Sequence, residues 1–194
     1  MEGNQLFPIF LKLNQLHTLV IGGGPVGLEK LTALLGNSNA AKVTVVAEEI
    51  MDEVYATALQ YPSIQIRKKS FELSDLEGIN LIVAATNNPE LNELIKAEGN
   101  RRNVLVNIAD KPALCDFYLS SIVKKGDLKV AISTNGKSPT IAKRLKEVFS
   151  DCLPEEMDAV LEQMQAIRDS LKGDFAAKVK QLDELTALLV KPLK

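Results

Sequence analysis

The stretch Leu19-Val20-Ile21-Gly22-Gly23-Gly24-Pro25-Val26-Gly27 decides the fold: an apolar strand runs into a glycine-rich turn that opens a helix. Each glycine has a separate use. Gly22 permits a tight strand-to-helix turn, Gly24 lets backbone N–H groups approach a pyrophosphate, and Gly27 lets helix and strand pack closely. Pro25 has the fixed φ of a first helical residue, where its missing N–H leaves no intrahelical bond unmade, and a helix N-terminus favours an anion. Glycine-rich turns also serve plain chain reversal, so the neighbouring sequence has to carry the reading.

Downstream, Val26, Leu28, Leu31, Leu34 and Leu35 form a helical stripe, Gly36-Asn37-Ser38-Asn39 breaks it, and Val43-Thr44-Val45-Val46-Ala47 supplies a second strand. The result is a βαβ unit of the length a dinucleotide site requires, with NAD as the expected cofactor. The alternation continues with a helix over 51–60, a strand at 64–67 and a polar link at 71–78. An apolar strand at 81–85, a helix over 89–102 and a strand at 104–108 follow. Strands alternating with helices predict an α/β fold, a Rossmann-like doubly wound parallel sheet over residues 1–115.

Beyond residue 115 the pattern changes. Residues 117–123 and 128–133 flank Lys124-Lys125-Gly126-Asp127, which predicts an antiparallel hairpin, and Ser138-Pro139 caps a helix running to Phe149. A hairpin and one helix are marginal alone, so residues 116–150 either cap the sheet or pair with a second copy; the exposed strand edges favour the second, a dimerisation and substrate-loop segment of a homodimer. Residues 151–194 form a helical C-terminal region, with Met157, Val160, Leu161, Met164, Ile167 and Leu171, then Phe175, Val179, Leu182, Leu185 and Leu189, at helical spacing.

Composition narrows the function classes. The 194 residues are 46% hydrophobic with a net charge of −2, so no overall electrostatic case exists for nucleic acid or an anionic membrane. Leu6-Phe7-Pro8-Ile9-Phe10-Leu11 is too short to span a bilayer and reads as an edge segment packing on the core. Cys115 and Cys152 have neither metal-ligand spacing nor a disulfide framework, which fits reduced thiols and a cytoplasmic location. With His17 the one histidine, at a strand start, no metal site is expected. Between Lys111 and Ser150 eight Lys or Arg face three Asp or Glu, either a solvated face or an anion-binding region.

In an open parallel sheet ligands bind beyond the carboxyl ends of the strands. There the sequence places Gly22, Gly24, Pro25, Val26 and Gly27, then Glu48 and Glu49 after the second strand, and Thr86 after the fourth. Glu48 suits ribose hydroxyls, which would prefer NAD over a 2′-phosphorylated cofactor; it also suits a plain surface carboxylate at the start of a helix. Thr86 offers a hydroxyl to a cofactor or caps the helix at Pro89. Asp110 ends the fifth strand, where it could move a proton or form a simple turn before Pro112. The loop Ser133, Thr134, Asn135, Gly136, Lys137 and Ser138 feeds a helix N-terminus near Lys143 and Arg144, which suits a polycarboxylate or a capped helix with solvated lysines.

Together these segments resemble the precorrin-2 dehydrogenase and sirohydrochlorin ferrochelatase family, the N-terminal module of siroheme synthases. The residues that carry the likeness are Pro8-Ile9-Phe10 leading to Val20-Ile21-Gly22-Gly23-Gly24, then Ala84-Ala85-Thr86, Asn107-Ile108-Ala109-Asp110, and Ser133 through Pro139. The resemblance implies NAD-dependent oxidation of precorrin-2 to sirohydrochlorin, toward siroheme or cobalamin, in an intertwined homodimer. It implies catalysis at Asp110, cofactor contacts at Gly22, Gly24, Pro25, Val26, Glu48, Glu49 and Thr86, and tetrapyrrole carboxylates at the Ser133–Ser138 loop. Some members carry a regulatory phosphoserine where this chain has Thr134, and some add ferrochelatase activity, for which His17 is badly placed. No methyltransferase segment follows Lys194, so the methylations that make precorrin-2 are expected from another protein. The competing class is a non-enzymatic NAD-sensing regulatory module, which accounts for the glycine turn but not for Asp110 or the basic loop.

Overall fold

The computed structural model describes residues 3–171 and 175–186, which fall into two compact units, Met1–Leu119 and Ser120–Lys194. The first unit holds a five-stranded sheet, all parallel, in the order β3-β2-β1-β4-β5. Its strands are β1 (His17–Gly23), β2 (Lys42–Ile50), β3 (Ile64–Lys68), β4 (Leu81–Ala84) and β5 (Leu105–Ile108). The helices α1 (Pro25–Asn37), α2 (Asp52–Leu59) and α3 (Pro89–Arg102) connect them.

Period-two alternation divides the core between the two sheet faces. Val20, Val43, Val45 and Val83 meet Leu31, Leu34 and Leu35 of α1 and Val54 of α2 on one face. Leu19, Ile21, Ile82, Ala84, Val106 and Ile108 meet Ile95 of α3 on the other. Each fully buried Leu, Ile or Val contributes about 1.5–3 kcal/mol relative to exposure, so register is strongly enforced. Because the order reverses at β1, the carboxyl ends of β1 and β4 diverge and leave a crevice.

β2 extends past the predicted Ala47. After Ile21 pairs with Val46 the register shifts, and Gly23 pairs with Ile50, so Glu48 and Glu49 lie on a bulged strand end rather than beyond it. The expectation that residues 6–11 pack on the core does not hold. Phe7 is 85% exposed, Phe10 67%, and the segment joins no strand. Pro8 has no N–H to give a ladder, which explains why this apolar run adds no edge strand.

The 71–78 link contains a 3₁₀ turn, Leu73–Leu76, organised by Asp75. Its buried carboxylate accepts from Arg67 at 3.1 Å and the Glu72 N–H at 3.0 Å, and pairs with Lys69 at 2.9 Å. Burial pushes this carboxyl up, but the bonds from Lys69, the Glu72 N–H and Arg67 outweigh it and hold it below the usual carboxylate range. A depressed native value means stabilisation that is present above the unfolded carboxylate range and disappears as the pH falls through the native value. Asp75→Asn is therefore expected to cost about 1–2 kcal/mol at neutral pH. In urea titrations the gap from wild type should close on acidification; a gap independent of pH would show that the ion pairs contribute nothing.

The second unit carries the predicted hairpin, β6 (Ser121–Lys125) and β7 (Leu128–Ile132), paired antiparallel. Its turn is shorter than expected, just Gly126-Asp127, with Gly126 at φ 56°. Residues 117–120 lie outside the hairpin because Phe117 and Leu119 pack against the core of the first unit. Helices α4 (Pro139–Cys152), α5 (Met157–Ser170) and α6 (Phe175–Thr186) follow. Ala142 of α4 packs with Val123 and Ile132 in a small core. Leu189 of the predicted helical stripe lies outside the described residues.

Candidate active site at the carboxyl edge of the sheet

The glycine turn is built by close approach. Gly22 stands at φ 117°, and a Cβ there would overlap the Ala85 carbonyl oxygen. A Cβ on Gly27 would overlap the Gly22 carbonyl oxygen, so helix α1 rests directly on the strand that feeds it. Gly24 differs, because a Cβ at its position would meet no atom within 4 Å. It is also the N-cap of α1, and no side chain caps the first turn. Helix-start N–H groups lack intrahelical partners, so this turn combines free donors, the positive end of a dipole and open space. That is the set a pyrophosphate needs, and the residues fit a dinucleotide.

A cavity of about 210 Å³ lies beside this turn, lined by Val26, Ala85, Thr86, Asn87, Pro89, Asn92, Ala109, Asp110 and Lys111. Three connections meet there: the start of α1, the β4–α3 loop and the turn after β5. The Ala85 N–H bonds Ile21 O at 2.7 Å and ties the second to the first. Asn88 caps α3, its side chain accepting from the Leu91 N–H at 3.1 Å, with Pro89 as first helical residue. Thr86 does not cap the helix. Its hydroxyl donates to Asn92 Oδ1 at 2.7 Å, and Asn92 Nδ2 donates to the Thr86 carbonyl oxygen at 3.2 Å.

Asp110 sits at φ 59° in a turn closed by the Lys111 N–H to Ile108 O at 3.3 Å. Asp tolerates this left-handed conformation better than most residues. The turn is braced on both sides. The Ala109 N–H bonds Ala84 O at 2.9 Å, while Cys115 Sγ accepts from the Ile108 N–H at 3.2 Å and lies 3.2 Å from Ile108 O. Burial pushes the Cys115 thiol up, so it is held as a neutral support. Asp116 completes the brace, accepting from the Val106 N–H at 3.0 Å and pairing with Lys96 at 2.5 Å.

Of the other residues read from the sequence, Glu48 and Glu49 are exposed and line a different stretch of the same sheet edge. Ser70 Oγ donates to Glu48 Oε1 at 2.6 Å. His17 lies at the opposite end of β1, with Nε2 2.9 Å from Thr44 Oγ1; burial, then the charges of Arg67 and Lys42, lower its pKa.

In the second unit, Asn135 and Gly136 both have positive φ, in a turn closed by the Lys137 N–H to Thr134 O at 3.1 Å. Thr134 Oγ1 accepts from the Ser138 N–H at 3.1 Å, and Ser138 Oγ accepts from the Ile141 N–H at 3.2 Å. Thr134 and Ser138 thus hold the loop and the helix cap, and Lys137 is exposed.

Sequence reasoning did not find Asn92, Ala109 or Lys111. Asn92 had a signal: it shares the inward face of α3 with Ile95 and Gly99, and a polar residue on a buried stripe needs a partner.

Residues 9–121 match the family described as "Putative NAD(P)-binding", and residues 125–148 match "Sirohaem biosynthesis protein central". A siroheme synthase of Methylococcus capsulatus is 36% identical over 168 residues, which cover 85% of this chain and 34% of that protein. One from Buchnera aphidicola is 38% identical over 169 residues, 87% of this chain and 35% of that protein. The chain thus spans about a third of the length of these curated relatives. A solved structure described as "SirC, precorrin-2 dehydrogenase" superposes with a TM-score of 0.73 at 26% identity, over 93% of this chain and 89% of that one.

Proposed function

Because the chain belongs to the siroheme synthase and precorrin-2 dehydrogenase family, we propose that it oxidises precorrin-2 to sirohydrochlorin in the cytoplasm, with NAD as electron acceptor. The observation that carries this reading is the convergence of Val26, Thr86 and Asp110, from three separate connections at the carboxyl ends of the strands, on one cavity. The reaction removes two hydrogens from the macrocycle, one as hydride and one as a proton. NAD supplies the hydride acceptor when bound.

The chain's own residues do the rest. The uncapped first turn of α1 and the space at Gly24 hold the pyrophosphate, with Gly22, Pro25, Val26 and Gly27 shaping the cradle. Glu48, oriented by Ser70, accepts from ribose hydroxyls, and the neighbouring Glu49 adds negative charge that disfavours a 2′-phosphate. Thr86 borders the reactive end. Asp110 takes the proton, from a turn braced by Ala84 and Cys115. Carboxylates of the tetrapyrrole go to the loop of Ser133, Thr134, Asn135, Gly136, Lys137 and Ser138, where Lys137 offers charge and the backbone offers N–H groups.

A homodimer belongs to this reading. On α4, Ile141 (52% exposed), Leu145, Val148 and Phe149 form one apolar stripe left exposed by the described residues. Light scattering at micromolar concentration should return twice the chain mass, and Val148→Asp should return the mass of one chain. A wild-type monomer would remove the dimer from the account.

Anaerobic incubation with precorrin-2 and NAD tests the activity. NADH formation is expected; tight NAD binding without NADH would favour the sensor reading, which leaves Asp110 without a role.

A further inference from the structure

We infer that Asn92 is a positioning residue for the cofactor end of the site, acting through Thr86; the inference rests on the NAD-dependent reading above. Asn92 is buried, lines the cavity, and spends its amide on one residue. Nδ2 donates to the Thr86 carbonyl oxygen at 3.2 Å, which fixes the amide so that Oδ1 faces the Thr86 hydroxyl at 2.7 Å. A carbonyl oxygen can only accept, and Asn92 Oδ1 at 2.7 Å lies closer to the hydroxyl than its other acceptor, the Asn88 carbonyl oxygen at 3.4 Å, so the one hydrogen points at Asn92.

The consequence lies on the other side of the oxygen. Thr86 Oγ1 also accepts from the Asn88 N–H at 3.3 Å. One lone pair remains for the cavity, and the hydroxyl meets a ligand there as an acceptor. Without Asn92 the hydroxyl keeps only the longer contact to the Asn88 carbonyl oxygen at 3.4 Å, can present its hydrogen to the cavity instead, and loses the short bond that anchors the loop between β4 and α3. The site therefore selects a ligand group that donates, such as an amide N–H or a sugar hydroxyl, and Asn92 makes that selection through the Thr86 hydroxyl.

A double-mutant cycle on the full chain separates this role from plain structural support. Thr86→Val and Asn92→Leu are each expected to weaken NAD binding about tenfold by calorimetry, the effect of one hydrogen bond. The double variant should be no weaker than either single one, because both changes remove the same bond. Losses that multiply, or NAD affinity unchanged in Asn92→Leu, overturn the role of Asn92. If Asn92→Leu does not fold, Asn92→Ala in the same cycle gives the same two readings. A wild-type protein that binds no NAD overturns the functional reading and this inference with it, whereas wild-type binding with multiplied losses overturns the inference alone.

Discussion

Asp110→Asn is expected to lower kcat for precorrin-2 oxidation about 10²-fold or more, with NAD affinity and thermal stability near wild type. The size is that of general acid–base assistance by one positioned side chain. Asn is the informative substitution because of the backbone. At φ 59° a left-handed residue is required, and Asn accepts that conformation as readily as Asp, so the change removes the carboxylate and leaves the turn. Asp110→Ala should lose at least as much turnover, but it adds about 1 kcal/mol of backbone strain in the left-handed region. A difference in Tm between the two variants would measure that strain. Steady-state kinetics with NAD titrated at saturating precorrin-2 checks the claim, and full kcat in Asp110→Asn would take Asp110 out of proton transfer.

The glycine turn yields the second large effect, through a contrast between neighbours. Gly24→Ser is expected to leave the fold intact or stabilise it by about a few tenths of a kcal/mol, because serine is only slightly better than glycine as an N-cap and Gly24 brings no side-chain cap. The same hydroxyl takes an N–H that a pyrophosphate needs and fills space that is open at this position. NAD affinity should therefore fall by about 10²-fold, on the order of one charge-assisted hydrogen bond lost. Gly22→Ala should act the other way round. Its Cβ would overlap the backbone of Ala85, and its φ of 117° suits glycine alone, so the cost is about 3 kcal/mol or more, and Tm falls on the order of 10 °C. Calorimetry and thermal melts on the two variants should show binding lost with stability kept in one, and stability lost in the other. Equal effects on both properties would mean that Gly24 has no ligand-facing role.

Much of the first unit was legible in the sequence because its determinants are local. Val20-Ile21 followed by glycines, and the apolar run Leu81-Ile82-Val83-Ala84-Ala85, suit strands covered on both faces, and the second is the strand Leu81–Ala84. Pro89 behind Asn88, and Pro139 behind Ser138, mark helix starts by chemistry that acts within four residues. The long-range features were harder to read. The extension of β2 to Ile50 depends on Gly23 pairing across a bulge. The exposure of Phe7 and Phe10 depends on what a proline denies an edge strand. Residues 117–120 alternate like a strand, yet Phe117 and Leu119 pack on the sheet of the first unit, and no local signal distinguishes those two uses.

The site shows the same division. The positions of Thr86 and Asp110 at strand ends follow from the topology of an open parallel sheet. That Thr86 faces Asn92 rather than capping α3 does not, since Asn88 is an equally good cap and took that place. The brace under Asp110 from Cys115 and Asp116 is also tertiary, because a segment after the turn folds back along β5. The contact of the Cys115 sulfur with the Ile108 backbone has no local signal either.

The central claim is that one cavity at the carboxyl edge of the sheet couples NAD reduction to precorrin-2 oxidation. An anaerobic reaction with substrate in excess over protein, followed in one cuvette for NADH and for the sirohydrochlorin spectrum, tests it most directly. The account predicts that the two products rise together in equimolar amounts, over many turnovers, and that neither forms when NAD is omitted. Sirohydrochlorin without NADH, or bound NAD without either product, would contradict it.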